Sequence, residues 1–230
     1  MPKVEAGTDA GIAALMLAAG GSRRMRPAHK LLLPIGEAMV RRPVRAALEA
    51  GLFPIVVVTG YRGEEVAAAV ADLGAACRPN PEWGTGIASS IRAGLAALPD
   101  GCPATAILLA DMPRVDAGHL RRLARAFAAG GDAGILIPTY RGRRGNPWVW
   151  SRRLFAALAA LVGDCGGSAL APRLGPWIRE VPMPDDGVLL DLDAPEEFAR
   201  EAGRAAVAGV AAEESQLLLP PAGGNRYPAG

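Results

Sequence analysis

Between Ile12 and Thr139, short uninterrupted apolar runs alternate with segments of helical spacing. Ile12–Leu17, Phe53–Thr59, Ala104–Leu109 and Gly134–Pro138 have the length and composition of strands buried on both faces, and Ala75–Arg78 adds a short third strand in chain order with a weaker apolar signal. Met39–Ala50, Glu64–Leu73, Ile87–Leu98 and Asp116–Ala129 lie between or after them with helical periodicity. Gly51 and Gly74 close the first two helices, and Asp116 is a natural N-cap for the fourth. Strands with no polar face, separated by amphipathic helices, require a parallel sheet covered on both sides. The predicted fold is therefore a doubly wound, mostly parallel α/β sheet. Right-handed crossovers place every strand-to-helix loop at one edge, where such sheets bind ligands.

After Thr139 the rhythm changes. The basic, glycine-rich Tyr140–Asn146 followed by strand-like Pro147–Trp150 predicts a small hairpin insertion. Helical Arg152–Leu161, a Gly163-Asp164-Cys165-Gly166-Gly167 loop, Trp177–Val181 and Val188–Leu190 complete the body. A last helix begins near Pro195. The expected division is an N-terminal extension over 1–11, one domain over 12–202, and a helix end with a flexible tail over 203–230.

Half of the 230 residues are apolar and 21% are charged, which fits a globular protein and excludes a mainly disordered one. A net charge of +2 is too small for an electrostatic nucleic-acid binder. No apolar run approaches the roughly 18 residues of a membrane span. Ile12–Ala19 behind Lys3 superficially suggests a signal-peptide core, but Glu5 and Asp9 spoil its cationic flank. Cys77, Cys102 and Cys165 have no metal-binding spacing, so neither a disulfide framework nor a structural zinc site is expected. The protein is expected in the cytoplasm.

Of the 25 basic residues only Lys3 and Lys30 are lysine. An ammonium is a compact charge that can move among phosphate oxygens, whereas guanidinium is a rigid fork. Lys30 follows the exit of the first strand, Ala18-Ala19-Gly20-Gly21-Ser22-Arg23-Arg24. Small residues there let backbone N–H groups form an anion nest, to which Arg23, Arg24 and Lys30 add charge. A polyphosphate suits that nest; a glycine turn with solvated arginines is the simpler alternative. The fourth strand ends in Asp111, on the same edge, where one carboxylate plus phosphate oxygens can hold Mg²⁺. Asp191 and Asp193 precede the last helix and serve either as further metal ligands or as its cap. Asn80 to Gly86 lead into a helix carrying Ser89 and Ser90, whose first-turn N–H groups suit an anion or a nucleobase edge, or an ordinary cap. His29 and His119 lack zinc partners and fit polar loop or helix-start positions.

The ordered set LAAGGSRRM…K, TG after the second strand, GxxxSxxxG, LADMP, GRRGNP, a GD loop and DLDAPEE resembles the MobA-like NTP transferases, and specifically the molybdenum cofactor cytidylyltransferases. The resemblance runs from Ile12 to Glu201. It implies a Rossmann-like, glycosyltransferase-A-like nucleotidyltransferase that joins CMP from CTP to the phosphate of molybdopterin and releases pyrophosphate. It further implies that Gly20 to Arg24 and Lys30 hold the NTP phosphates, with Lys30 and Arg24 stabilising the leaving group. Asp111 would hold Mg²⁺, with Asp191 and Asp193 near it. Ala18, Ala19, Thr59, Gly60, Gly86, Ser89 and Ser90 fall at nucleotide-binding positions. Arg143, Arg144, Gly145 and Asn146 form a basic loop that could face the second substrate. A molybdenum hydroxylase or its maturation chaperone would receive the product. Two departures stand out: Arg26 replaces a common glycine, and Gly163-Asp164-Cys165-Gly166-Gly167-Ser168 lacks the arginine of the usual GDxGAR. Ala19 favours CTP, because related guanylyltransferases carry LAGG. A guanylyltransferase, a sugar-phosphate nucleotidyltransferase and a non-catalytic molybdopterin carrier are the alternatives.

Overall fold

The structure, a computed structural model, describes residues 11–25, 28–192 and 194–217, with side chains for all of these but 23 and 207–217. Most of the expected N-terminal extension, Arg26, Asp193 and the last thirteen residues (218–230) lie outside the described residues.

Ten strands and six helices are described, joined by 3₁₀ turns. In chain order they are β1 (Ile12–Ala18), β2 (Pro34–Ile35), β3 (Glu37–Ala38), α1 (Arg41–Glu49), β4 (Ile55–Thr59), α2 (Gly63–Ala69), β5 (Ala76–Pro79) and α3 (Ile87–Leu95). Then follow β6 (Ala104–Leu109), α4 (Ala117–Ala128), β7 (Ile135–Tyr140), β8 (Arg143–Arg144), β9 (Trp148–Ser151), α5 (Phe155–Ala159), β10 (Ile178–Pro182) and α6 (Pro195–Leu217). The main sheet has the order β10-β7-β9-β6-β1-β4-β5, with β8 paired to β7, while β2 and β3 form a separate ribbon. β1 lies parallel between β4 and β6, so its apolar sequence is enclosed on both edges and both faces. Ala14, Met16 and Ala18 enter the core shared with α1, α2 and α4, whereas Ala13 and Leu15 enter the one shared with α3 and α5. This two-sided burial is what the unbroken apolar runs required.

The region after Thr139 makes a more elaborate insertion than a local hairpin. β7 and β8 do form a tight antiparallel pair, turned by Arg141 and Gly142 at φ 49° and 76°, the left-handed pair that a two-residue hairpin needs. β9, however, is inserted antiparallel between β6 and β7. Val188–Leu190 enters the core through a 3₁₀ turn over Asp186–Leu189. α6 starts at Pro195 as predicted and continues past Gly203 to Leu217. Among the described residues no helix is long and apolar enough to cross a membrane.

Candidate active site

A cleft of about 600 Å³ opens at the C-terminal edge of the sheet, over the ends of β1 and β6. One wall is the exit of β1. Ala19, Gly20, Gly21, Ser22 and Arg24 all line it. Ser22 sits at φ 46°, in the left-handed region, and this bend sends its Oγ back to accept from the Lys30 N–H at 3.2 Å. His29 is buried against the same turn. Its Nδ1 accepts from the Leu31 N–H at 3.3 Å, and its Nε2 donates to the Tyr61 carbonyl at 3.0 Å. Both bonds are made by the neutral Nε2–H tautomer, and burial pushes the His29 pKa below its ordinary 6.5. The structure thus makes His29 the cap of the turn that presents Lys30.

Lys30 projects into the cleft floor, where its Nζ donates to Asp111 Oδ2 at 2.5 Å and to the Leu192 carbonyl at 3.1 Å. Asp111 lies just beyond β6, and its own carbonyl accepts from the Leu192 N–H at 3.1 Å. The Asp191–Leu192 segment is thereby fixed beside the predicted metal ligand. Asp191 is exposed, and Asp193 lies outside the described residues. Among the described residues no three His, Cys, Asp or Glu side chains cluster as a metal site. Behind Asp111, Arg114 donates from Nε and Nη2 to one oxygen of buried Glu201, at 2.9 and 2.7 Å. This anchors α6 to the loop that carries Asp111.

The opposite wall corrects the expectation for the helix that bears Ser89 and Ser90. Its first-turn N–H groups are already taken. The Ile87 N–H donates to Asp164 Oδ1 at 3.3 Å, the Ala88 N–H to the Gly163 carbonyl at 3.2 Å, and the Ser89 N–H to the Gly86 carbonyl at 3.2 Å. The capping alternative prevails, and the cap comes from the distant GD loop rather than from a local side chain. Gly86 is needed for this approach: it has φ +116°, and a Cβ there would stand 2.2 Å from the Gly163 oxygen. Gly86 and Ser90 line the cleft together with Trp83, Thr85, Ile87 and Asp164.

Several predicted residues are not brought to the cleft. Ala18 is fully buried. Thr59 is buried, with its carbonyl accepting from the Asn80 N–H at 2.8 Å. Ser89 is also buried; its Oγ faces the Glu82 and Gly86 carbonyls and accepts from Asn80 Nδ2 at 2.9 Å. Gly60 acts through packing, because a Cβ there would fall 2.6 Å from Trp83 Cβ and 2.7 Å from the Ala19 carbonyl. In the basic loop, Arg143 lies on the exposed β8. Arg144 donates to Glu180 at 2.8 Å and faces a separate depression beside Trp148 and Ser168. Gly145 packs on Val188, and the Asn146 N–H donates to the Val188 carbonyl at 2.8 Å. Asp164 and Trp83 were visible in the sequence as members of a loop and a helix lead-in; nothing local to either showed that they share a cleft.

A bacterial relative, nicotine blue oxidoreductase from Paenarthrobacter nicotinovorans, is 26% identical over 195 residues, covering 82% of this chain and 95% of that one. A bifunctional protein GlmU from Rhizorhabdus wittichii is 40% identical over 119 residues, half of this chain, which spans only about a quarter (26%) of that protein's length. The crystal structure of Rv0371c from Mycobacterium tuberculosis superposes with a TM-score of 0.74 at 28% identity, over 86% of this chain and 99% of that one. The family model of the MobA-like NTP transferase domain matches residues 14–177, most of the sheet and the cleft walls described above, and the chain belongs to that family of nucleotidyltransferases.

Proposed function

We propose that this nucleotidyltransferase joins the CMP moiety of CTP to the phosphate of molybdopterin and releases pyrophosphate. The observation that carries the transferase chemistry is the Lys30–Asp111 pair at 2.5 Å on the floor of a glycine-walled cleft. The resemblance of LAAGGSRRM, LADMP and the later motifs to cytidylyltransferases supports the substrates.

An oxygen of the acceptor phosphate attacks the α-phosphorus of the nucleotide. A P–O bond forms there as the α–β P–O bond breaks, and the electron pair leaves with pyrophosphate. An ionised phosphate needs no general base, so the protein's task is to hold two anions in line and to offset charge moving onto the leaving group. The Gly20–Ser22 backbone and Arg24 would bind the phosphates, and Lys30 would meet the leaving group from the floor. Asp111 offers a hard oxygen donor near the Leu192 carbonyl, which together with phosphate oxygens suits Mg²⁺; Asp191 precedes Leu192 in the chain and is exposed. Asp111 is already oriented toward a cation by its contact with the Lys30 ammonium. When bound there, Mg²⁺ supplies neutralisation of the phosphate oxygens.

The test is pyrophosphate release from each of the four NTPs, with molybdopterin, with a hexose 1-phosphate, or with neither. Release from CTP that depends on molybdopterin is the expected result. A preference for GTP makes the protein a guanylyltransferase, turnover of the sugar phosphate makes it a sugar-phosphate enzyme, and molybdopterin binding without release makes it a carrier.

A further inference from the structure

We propose that Asp164 binds the nucleoside half of the nucleotide, accepting a hydrogen bond from the ribose hydroxyls or from an exocyclic amine of the base.

The charges of the cleft give it a direction. Arg24 and the glycine backbone occupy the β1 side, and Lys30 the floor. The far wall offers no comparable anion site, since the N–H groups of Ile87, Ala88 and Ser89 are spent on Asp164, Gly163 and Gly86. It presents a carboxylate instead, and like charge disfavours any phosphate placed beside it. The triphosphate is therefore confined to the β1 side, and the nucleoside falls against Trp83, Ser90 and Asp164. Trp83 supplies an aromatic surface there, with its ring tilted at 55° against Tyr61 at 5.7 Å.

Asp164 has a donor-seeking atom to offer. Its Oδ1 takes the Ile87 N–H, while Oδ2 has no hydrogen bond among the described residues. An ionised carboxylate accepts only, so its partner must be a donor. Ribose provides two hydroxyl donors, and cytosine, adenine and guanine each provide an amine that uracil lacks. The carboxylate that caps α3 thus also reads the nucleotide. The inference rests on a nucleoside triphosphate occupying this cleft.

Calorimetric titration of the native protein, D164A and D164N with CTP, dCTP, UTP and inorganic tripolyphosphate tests it. Tripolyphosphate samples the phosphate side alone. D164A should weaken CTP about tenfold or more while leaving tripolyphosphate within about twofold. D164N can retain the Ile87 cap through its amide oxygen, so selective weakening of CTP in D164N separates nucleoside binding from helix capping. If ribose is the donor, the native preference for CTP over dCTP collapses in the variants; if the amine is, the preference for CTP over UTP collapses. Equal losses for CTP and tripolyphosphate, or none for either, overturn the proposal. A native protein that binds tripolyphosphate but no nucleotide overturns the reading of the cleft itself.

Discussion

Lys30 and Asp111 stand 81 positions apart in the chain and 2.5 Å apart in space, and substitutions that change one property at a time can divide their roles. Asp111→Asn keeps the shape and removes the charge. It should fold, as judged by circular dichroism, and lose most transferase activity; a rate near the parental one would remove Asp111 from the chemistry. Lys30→Arg keeps the charge but replaces a compact donor with a planar fork in a space set by Asp111 and Leu192, so kcat should fall by about tenfold or more. Both residues were legible in the sequence, one as the isolated lysine of an arginine-rich chain and the other as a strand-end carboxylate. His29 was legible only as a polar loop or helix-start residue, because its burial depends on Tyr61. It also makes a pH prediction. Its folded pKa lies below 6.5 because burial disfavours the imidazolium, so below that pH the unfolded chain binds a proton that the native state resists. The contribution is full above about pH 6.5 and is lost as the pH falls below it. Urea unfolding between about pH 8 and pH 5 should show this loss, and His29→Gln should reduce it. Parallel pH profiles for the two proteins would show that His29 does not titrate with folding.

At the scale of elements, strands enclosed on both faces were easily read, and β6 falls at the predicted Ala104–Leu109. Asp116 caps α4 as expected, and His119 completes a reciprocal capping box with it. Local periodicity could not reveal that β9 crosses between β6 and β7, because that pairing joins residues some forty positions apart: Ala104 and Ser151, or Ile107 and Trp148. The same limit hid the cap of α3. The start of the helix looked like an anion site because the N–H groups of Ile87 and Ala88 have no local partner, and their partners arrive from Asp164 and Gly163. Gly86→Ala tests this junction. The new Cβ would meet a backbone oxygen and force a residue at φ +116°, so the GD loop must withdraw from the helix. A stability loss of roughly 1–3 kcal/mol is expected, with a raised KM for nucleotide. Unchanged unfolding midpoint and KM would mean that the GD loop is not needed to close this wall.

Across the whole molecule, the segment from Asp185 to Leu192 draws distant parts together. Asp185 accepts from His119 at the start of α4, Val188 from Asn146 after the hairpin, and Leu192 pairs with Asp111 while receiving Lys30. Helix α6 begins at Pro195, shortly after this segment in the chain, and is tied back by Arg114 to Glu201. The two partners of that tie are not equivalent. The Arg114 side chain is 23% exposed and has Asp186 within 3.5 Å, whereas the Glu201 side chain is 8% exposed. Removing Glu201 leaves a cation that still has water and a second carboxylate. Removing Arg114 leaves a buried carboxylate that has lost both of its short hydrogen bonds to the guanidinium. Arg114→Ala should therefore cost more stability, about 2–3 kcal/mol, than Glu201→Ala. The double variant should be no worse than Arg114→Ala alone, since the stranded charge is gone. If the segment positions Asp111 as the geometry implies, Arg114→Ala should also lower kcat more than it raises the KM for nucleotide, because the glycine wall is untouched. Equal single-variant costs, or a KM effect without a kcat effect, would mean that the C-terminal helix is attached to the fold without helping to set its catalytic floor.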